Sequence, residues 1–206
     1  MTHSTYTGTI RTLKFLPTQQ NQLITAGAGD CAMRCWDFTK ETKNPLHIWK
    51  GHEAPVFDID MMSRSNLVSC SQDRTLRIWD IRAGGKNVDI TQTSTSINAV
   101  SASYSMLSTA HADGSVAVWD TRSLSHPVLN FSNVHHHEVR SVQFCPHDES
   151  WILTASFDGT VRVLSSKTQS ITMKWSDHDG KVLRAQWGGG INFVSCSADR
   201  TVRVWE

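Results

Sequence analysis

The sequence predicts an all-β protein built from five small, four-stranded sheets. Three observations carry that expectation. A short phrase opened by an aspartate recurs five times in 206 residues: DCAMRCWD from Asp30, DRTLRIWD from Asp73, DGSVAVWD from Asp113, DGTVRVLS from Asp158 and DRTVRVWE from Asp199. The steps between these aspartates are 43, 40, 45 and 41 residues, a period that marks a repeat array. Within each period short apolar runs alternate with turn residues, and no segment sustains a helical spacing.

The second repeat shows the elements most clearly. Val56, Ile59 and Met61 begin a first strand whose alternation is not strict. Leu67–Cys70 is a second strand, and Ser71-Gln72-Asp73-Arg74 is a turn. Leu76 and Ile78 flank Arg77 with period two up to Trp79, giving a third strand, and a fourth lies near Val88–Ile90. The same template fits the rest. First strands carry Ile10/Leu13/Phe15, Ile97/Val100/Ala102, Val139/Val142/Phe144 and Val182/Ala185/Trp187. Second strands are Gln22–Thr25, Met106–Thr109, Trp151–Thr154 and Phe193–Ser195, and fourth strands lie near Leu46–Trp49, Val128–Phe131 and Ile171–Lys174. One such sheet is too small to bury both faces, so the units must stack. The expected organisation is a single domain over 1–206, with repeats at roughly 6–50, 51–91, 92–132, 133–175 and 176–206.

Composition narrows the function classes. The net charge is +1, with 20 basic and 19 acidic residues, which makes no global case for nucleic acid or an anionic membrane as partner. The segment MTHSTYTGTI has no basic stretch followed by an apolar run, and no apolar stretch is long enough to cross a bilayer as a helix. Five cysteines form no disulfide framework. Cys70 and Cys196 share one repeat slot, and Cys35 shares another with Ile78, Val118, Val163 and Val204. They read as packed thiols in a reducing compartment, so the expected location is intracellular, cytoplasmic or nuclear. Cys31 and Cys35 lack a second pair at metal-binding spacing, and neither a metal nor a cofactor is expected.

The Gly51-His52 pair, the five turn aspartates and the Trp-Asp pairs at 36–37, 79–80 and 119–120 recur in phase. On these residues the chain resembles the WD40 repeat family of β-propellers, over roughly 6–206. The resemblance implies five blades, the fifth incomplete because the sequence ends at Trp205-Glu206. Such propellers commonly hold about seven blades, so both a small closed ring and a partial propeller are open, with a longer propeller shortened at its C-terminus preferred. Thr2–Tyr6 are expected to supply the missing fourth strand.

A second layer of repetition is polar. The second repeat places His52, Ser69, Asp73 and Trp79 in order, and the fifth places His178, Ser195, Asp199 and Trp205. A Ser–His–Asp set invites a hydrolase reading, but an enzyme needs one such site and this one recurs. The resemblance implies a buried hydrogen-bond chain that ties turn to strands. The fourth repeat keeps His135, Thr154 and Asp158 but has Leu164 for Trp; the third keeps Thr109, Asp113 and Trp119 but has Thr93 for His; the first has Tyr6 there. These blades are expected to be less rigid. His136 and His137 read as solvated loop rather than metal ligands, and Gly188–Gly190 as a strand turn.

Partner binding is expected on two rims. In the family, residues three and five positions after the histidine slot, and the one before the turn aspartate, face partners at the top of the propeller. Here they are Thr9, Arg11 and Gly29; Pro55, Phe57 and Gln72; Ser96, Asn98 and Ala112; Glu138, Arg140 and Phe157; Lys181, Leu183 and Ala198. Phe57, Phe157 and Leu183 suit a protein or peptide contact, and Arg11, Arg140 and Lys181 an acidic or phosphorylated one. On the other rim, Asp80/Arg82 and Asp120/Arg122 form tandem W-D-x-R motifs. These resemble the adaptor-binding motif of cullin-RING ubiquitin ligase substrate receptors; the plainer reading pairs each arginine with a neighbouring carboxylate. Arg34, Arg77, Arg162 and Arg203 recur inside the third strand and are expected to bond between blades. The function expected is a non-catalytic scaffold for protein or peptide partners. The alternatives are a ubiquitin-ligase substrate receptor, and a nucleic-acid or phospholipid reader using Arg11, Arg140 and Lys181.

Overall fold

A computed structural model describes residues 8–17, 19–40 and 44–206, and within them each strand pairs only with its neighbours in sequence. The first sheet contains β1 (Ile10–Leu16), β2 (Gln19–Gly27), β3 (Met33–Asp37) and β4 (His47–Trp49). The second contains β5 (Val56–Met61), β6 (Asn66–Ser71), β7 (Thr75–Asp80) and β8 (Lys86–Gln92). The third contains β9 (Ile97–Ala102), β10 (Met106–His111), β11 (Val116–Asp120) and β12 (Leu129–Phe131). The fourth contains β13 (Val139–Phe144), β14 (Trp151–Ser156), β15 (Val161–Ser165) and β16 (Ser170–Trp175). The fifth has three strands, β17 (Val182–Trp187), β18 (Phe193–Ser197) and β19 (Val202–Trp205). The expected all-β plan of four complete blades and one lacking its fourth strand is therefore present. Thr2–Tyr6 lie outside the described residues.

The chain divides into two compact units, 1–97 and 98–206. In the first, sheets one and two pack face to face. Leu16, Ile24, Met33 and Trp49 from one sheet meet Val56, Ile59, Leu67 and Trp79 from the other. In the second unit the fourth sheet is covered on both faces. Val142, Phe144, Ile152 and Leu164 pack toward the third sheet, while Leu153, Ala155, Val161 and Val163 pack toward Val182, Ala185, Trp187 and Phe193 of the fifth. Double burial explains why β14 and β15 read as nearly continuous apolar runs rather than clean alternations. Cys35, Cys70 and Cys145 are buried free thiols, and burial pushes Cys35 up to about 11.

The residue after each turn aspartate has a left-handed backbone: Cys31, Arg74, Gly114, Gly159 and Arg200. Each turn reverses the chain between second and third strands, and the aspartate fixes it. Asp73 accepts from the Thr75 amide and hydroxyl, Asp158 from those of Thr160, Asp199 from those of Thr201, and Asp113 from those of Ser115.

Three of the third-strand arginines reach back to the turn of their own repeat. Arg34 forms a bidentate pair with Asp30, Arg77 Nε donates to Thr75, and Arg162 Nε donates to Thr160 beside Asp158. Arg203 Nε is buried and has no hydrogen-bond partner among the described residues. The short reach from the third-strand position back to the turn favours the local carboxylate over a neighbouring sheet.

Candidate protein-interaction site

The polar chain of the second repeat has a defined direction. Trp79 Nε1 donates to Ser69 Oγ at 2.8 Å. Ser69 Oγ lies 2.7 Å from His52 Nε2, and His52 Nδ1 lies 2.7 Å from Asp73. An indole can only donate, so the serine passes its own proton to Nε2, and the remaining Nδ1 proton goes to the carboxylate. Every group is satisfied by a neutral imidazole. Burial holds the His52 pKa below its ordinary value, against the pull of Asp73. Burial alone would raise the Asp73 pKa, but the hydrogen bonds from His52 and Thr75 outweigh it and hold the group well below the usual carboxylate range. The fifth repeat repeats the geometry with Trp205, Ser195, His178 and Asp199 at 2.9, 2.8 and 2.7 Å. These distances would suit a catalytic triad, yet Ser69 is 0% and Ser195 1% exposed, so neither hydroxyl meets a substrate.

The divergent repeats rebuild the chain with other residues. In the third, His111 from the end of β10 supplies an imidazole 2.9 Å from Thr109, which also accepts from Trp119. Sequence reading at the Thr93 slot missed it. The available signal was a histidine two residues before Asp113, where the second, fourth and fifth repeats have Ser71, Ser156 and Ser197. In the fourth, with Leu164 in the Trp slot, the Thr154 hydroxyl lies 2.9 Å from His135 Nε2 and 3.1 Å from the Arg162 carbonyl oxygen. In the first, Trp36 donates to Thr25, and Asp30 takes Arg34; Tyr6 is outside the described residues. His136 donates its amide to Asp158 and is exposed with His137; no metal-binding cluster occurs among the described residues.

This clamp positions the candidate surface. In three repeats the residue before the aspartate donates its amide to the carbonyl three positions after the histidine: Gln72 to Pro55, Phe157 to Glu138 and Ala198 to Lys181, at 2.9–3.1 Å. Two of the three expected contact positions are thus held side by side. The third coincides with a register shift in the first strand, between Ile10 and Thr12, Val56 and Asp58, Val139 and Ser141, and Val182 and Arg184. The bulged residues are Arg11, Phe57, Arg140 and Leu183, and a bulge re-aims its side chain away from the ladder.

Side chains from the three kinds of contact position meet one another. In the first unit the Arg11 guanidinium stacks over the Phe57 ring at 4.6 Å. In the second, Arg140 and Lys181 both lie over Phe157, at 5.5 and 4.7 Å. Arg11, Gln72, Lys181 and Leu183 are exposed, and Pro55, Phe57, Arg140 and Phe157 are half-buried. Asn98, an expected contact position, is instead buried and donates to the Val139 carbonyl.

At the ends of β7 and β11, each W-D-x-R aspartate caps its own turn, accepting the amide of Arg82 or Arg122 at 2.9 Å. Arg122 adds a bidentate grip on Asp120, which holds that carboxyl down at about 2, and Arg82 Nε lies 3.7 Å from Asp80. Both arginine side chains are largely exposed, at 78% and 83%.

Residues 43–80, 86–120, 127–165 and 169–206 match the repeat model described as WD domain, G-beta repeat. Among curated relatives, the ribosome biogenesis protein WDR12 homolog of Ixodes scapularis is 27% identical over 176 residues, covering 82% of this chain and 41% of that protein. The WDR12 homolog of Drosophila virilis is 26% identical over 205 residues, covering 90% and 48%. Protein tipD of Dictyostelium discoideum is 24% identical over 204 residues, covering 96% and 32%. The chain therefore spans between about a third and about a half of the length of these relatives. Their names make no mention of a ubiquitin ligase, so the substrate-receptor alternative gains no support. With repeats matched over most of its length and sheets of the corresponding pattern, the chain belongs to the WD40 family.

Proposed function

We propose that this chain is a non-catalytic interaction scaffold whose paired cations and aromatic rings, on the first strands and the turns beside them, bind acidic or phosphorylated segments of protein partners. The observation that carries this reading is the stacking of cations on aromatic rings at these positions, Arg11 on Phe57 and Arg140 with Lys181 on Phe157. Each ring restrains a flexible cation, so less rotamer freedom is lost when an anion arrives. The names of the relatives support a role in ribosome biogenesis, which is in keeping with an intracellular location, cytoplasmic or nuclear. The sealed serines support the non-catalytic part of the reading.

The test is affinity purification of the native protein beside an Arg140→Glu/Lys181→Glu variant. Charge reversal is expected to lower recovery of acidic partners by about tenfold with no change in melting temperature. Equal recovery of the same partners overturns the surface assignment.

A further inference from the structure

At the opposite end of β14 from Phe157, the second unit contains a pocket of about 290 Å³ that the repeat network does not use. Its walls include Trp151, Trp175, Trp187, Phe193 and Met173, and Glu206 is also among the lining residues. Trp175 and Trp187 each stand nearly perpendicular to Phe193, at 73° and 75°, with centroids 4.8 and 5.8 Å away. Trp187 directs its N–H to the Gln143 carbonyl, so that donor is already used. No basic side chain lines the pocket. Two of the walls are peculiar to this place. The Trp151 slot holds Asn66 and Met106 in other repeats, and the Trp187 slot holds Met61, Ala102 and Phe144, so the template does not demand tryptophan at either.

We propose that this pocket binds a methylated ammonium group, such as a trimethyl-lysine side chain of a partner polypeptide. Aromatic faces attract cations through their quadrupoles, and tryptophan does so most strongly. An unmodified ammonium is strongly hydrated and carries three donors, which a nearly acceptor-free wall does not replace. A trimethylammonium has no N–H to satisfy and sheds water more readily. This site is independent of the charged surface at Phe157.

Nα-acetyl-trimethyl-lysine amide, titrated into the full chain while tryptophan fluorescence is followed, tests the proposal. It is expected to bind about tenfold more tightly than its neutral tert-butyl carbon isostere or the unmodified lysine compound. Trp151→Leu should abolish the preference for the cation over its isostere. Equal binding of the neutral isostere, or no binding of the cation at millimolar concentration, overturns the proposal.

Discussion

Backbone geometry at single turn residues separates positions that look alike. Gly114 and Gly159 follow their turn aspartates with φ of +87° and +81°. A Cβ on Gly114 would lie 2.2 Å from the His135 carbonyl oxygen, whereas one on Gly159 meets nothing closer than 3.4 Å. Gly159→Ala is expected to cost about 1 kcal/mol, the strain of a left-handed alanine, and Gly114→Ala about 3 kcal/mol because backbone must also move. Denaturant midpoints with unchanged slopes would measure both; equal losses would refute the role given to the His135 carbonyl. The sequence alone did not separate these glycines, because the clash comes from a residue about twenty positions away in the neighbouring repeat. The same limit hid His111. A template aligned on one histidine slot finds Thr93 and stops, although an imidazole entering from the strand end reaches the same hydroxyl.

At the scale of a blade, the polar chain couples protonation to folding. His52 and His135 have pKa values lowered by burial, so the unfolded chain takes up protons first as the solution acidifies. The stability of these neutral networks is full above about pH 6.5 and is lost as pH falls below it. Asp73 and Asp158 have lowered pKa values, because hydrogen bonds from His52 and Thr75, and from His135 and Thr160, outweigh burial. Their contribution is present above about pH 4 and is lost below it. Both shifts act in one direction, so the melting temperature is expected to fall from pH 7 to 5 and again below pH 4. A melting temperature flat between pH 7 and 5 would contradict the buried neutral state. Blade elements were legible in the sequence because each repeats the same residues in phase. Even the bulges left a trace, since Val56, Ile59 and Met61 are spaced three and then two apart, and the spacing of three is the extra residue. What the bulge does with Phe57 and Arg140 was visible only once neighbouring strands were paired in space.

For the molecule as a whole, exposed apolar side chains on β1 and β19 bear on association. Leu13 and Phe15 on β1, and Val202 and Val204 on β19, are between 52% and 71% exposed. Apolar faces of this kind favour association. In solution the 206-residue chain is expected to exceed its monomer mass by light scattering, and a Val202→Thr/Val204→Thr variant to shift toward monomer. A wholly monomeric native chain would show that these faces are tolerated in water. The tryptophan-lined pocket belongs to the same scale, and its walls carry no repeat signal to read in advance. The pairing of each strand only with its sequence neighbours has one more consequence, for how the protein is made. No ladder among the described strands waits for a distant segment, so a sheet can close once its own forty or so residues have left the ribosome. Synthesis then lays down one sheet at a time, each able to complete its own ladder before the next has emerged.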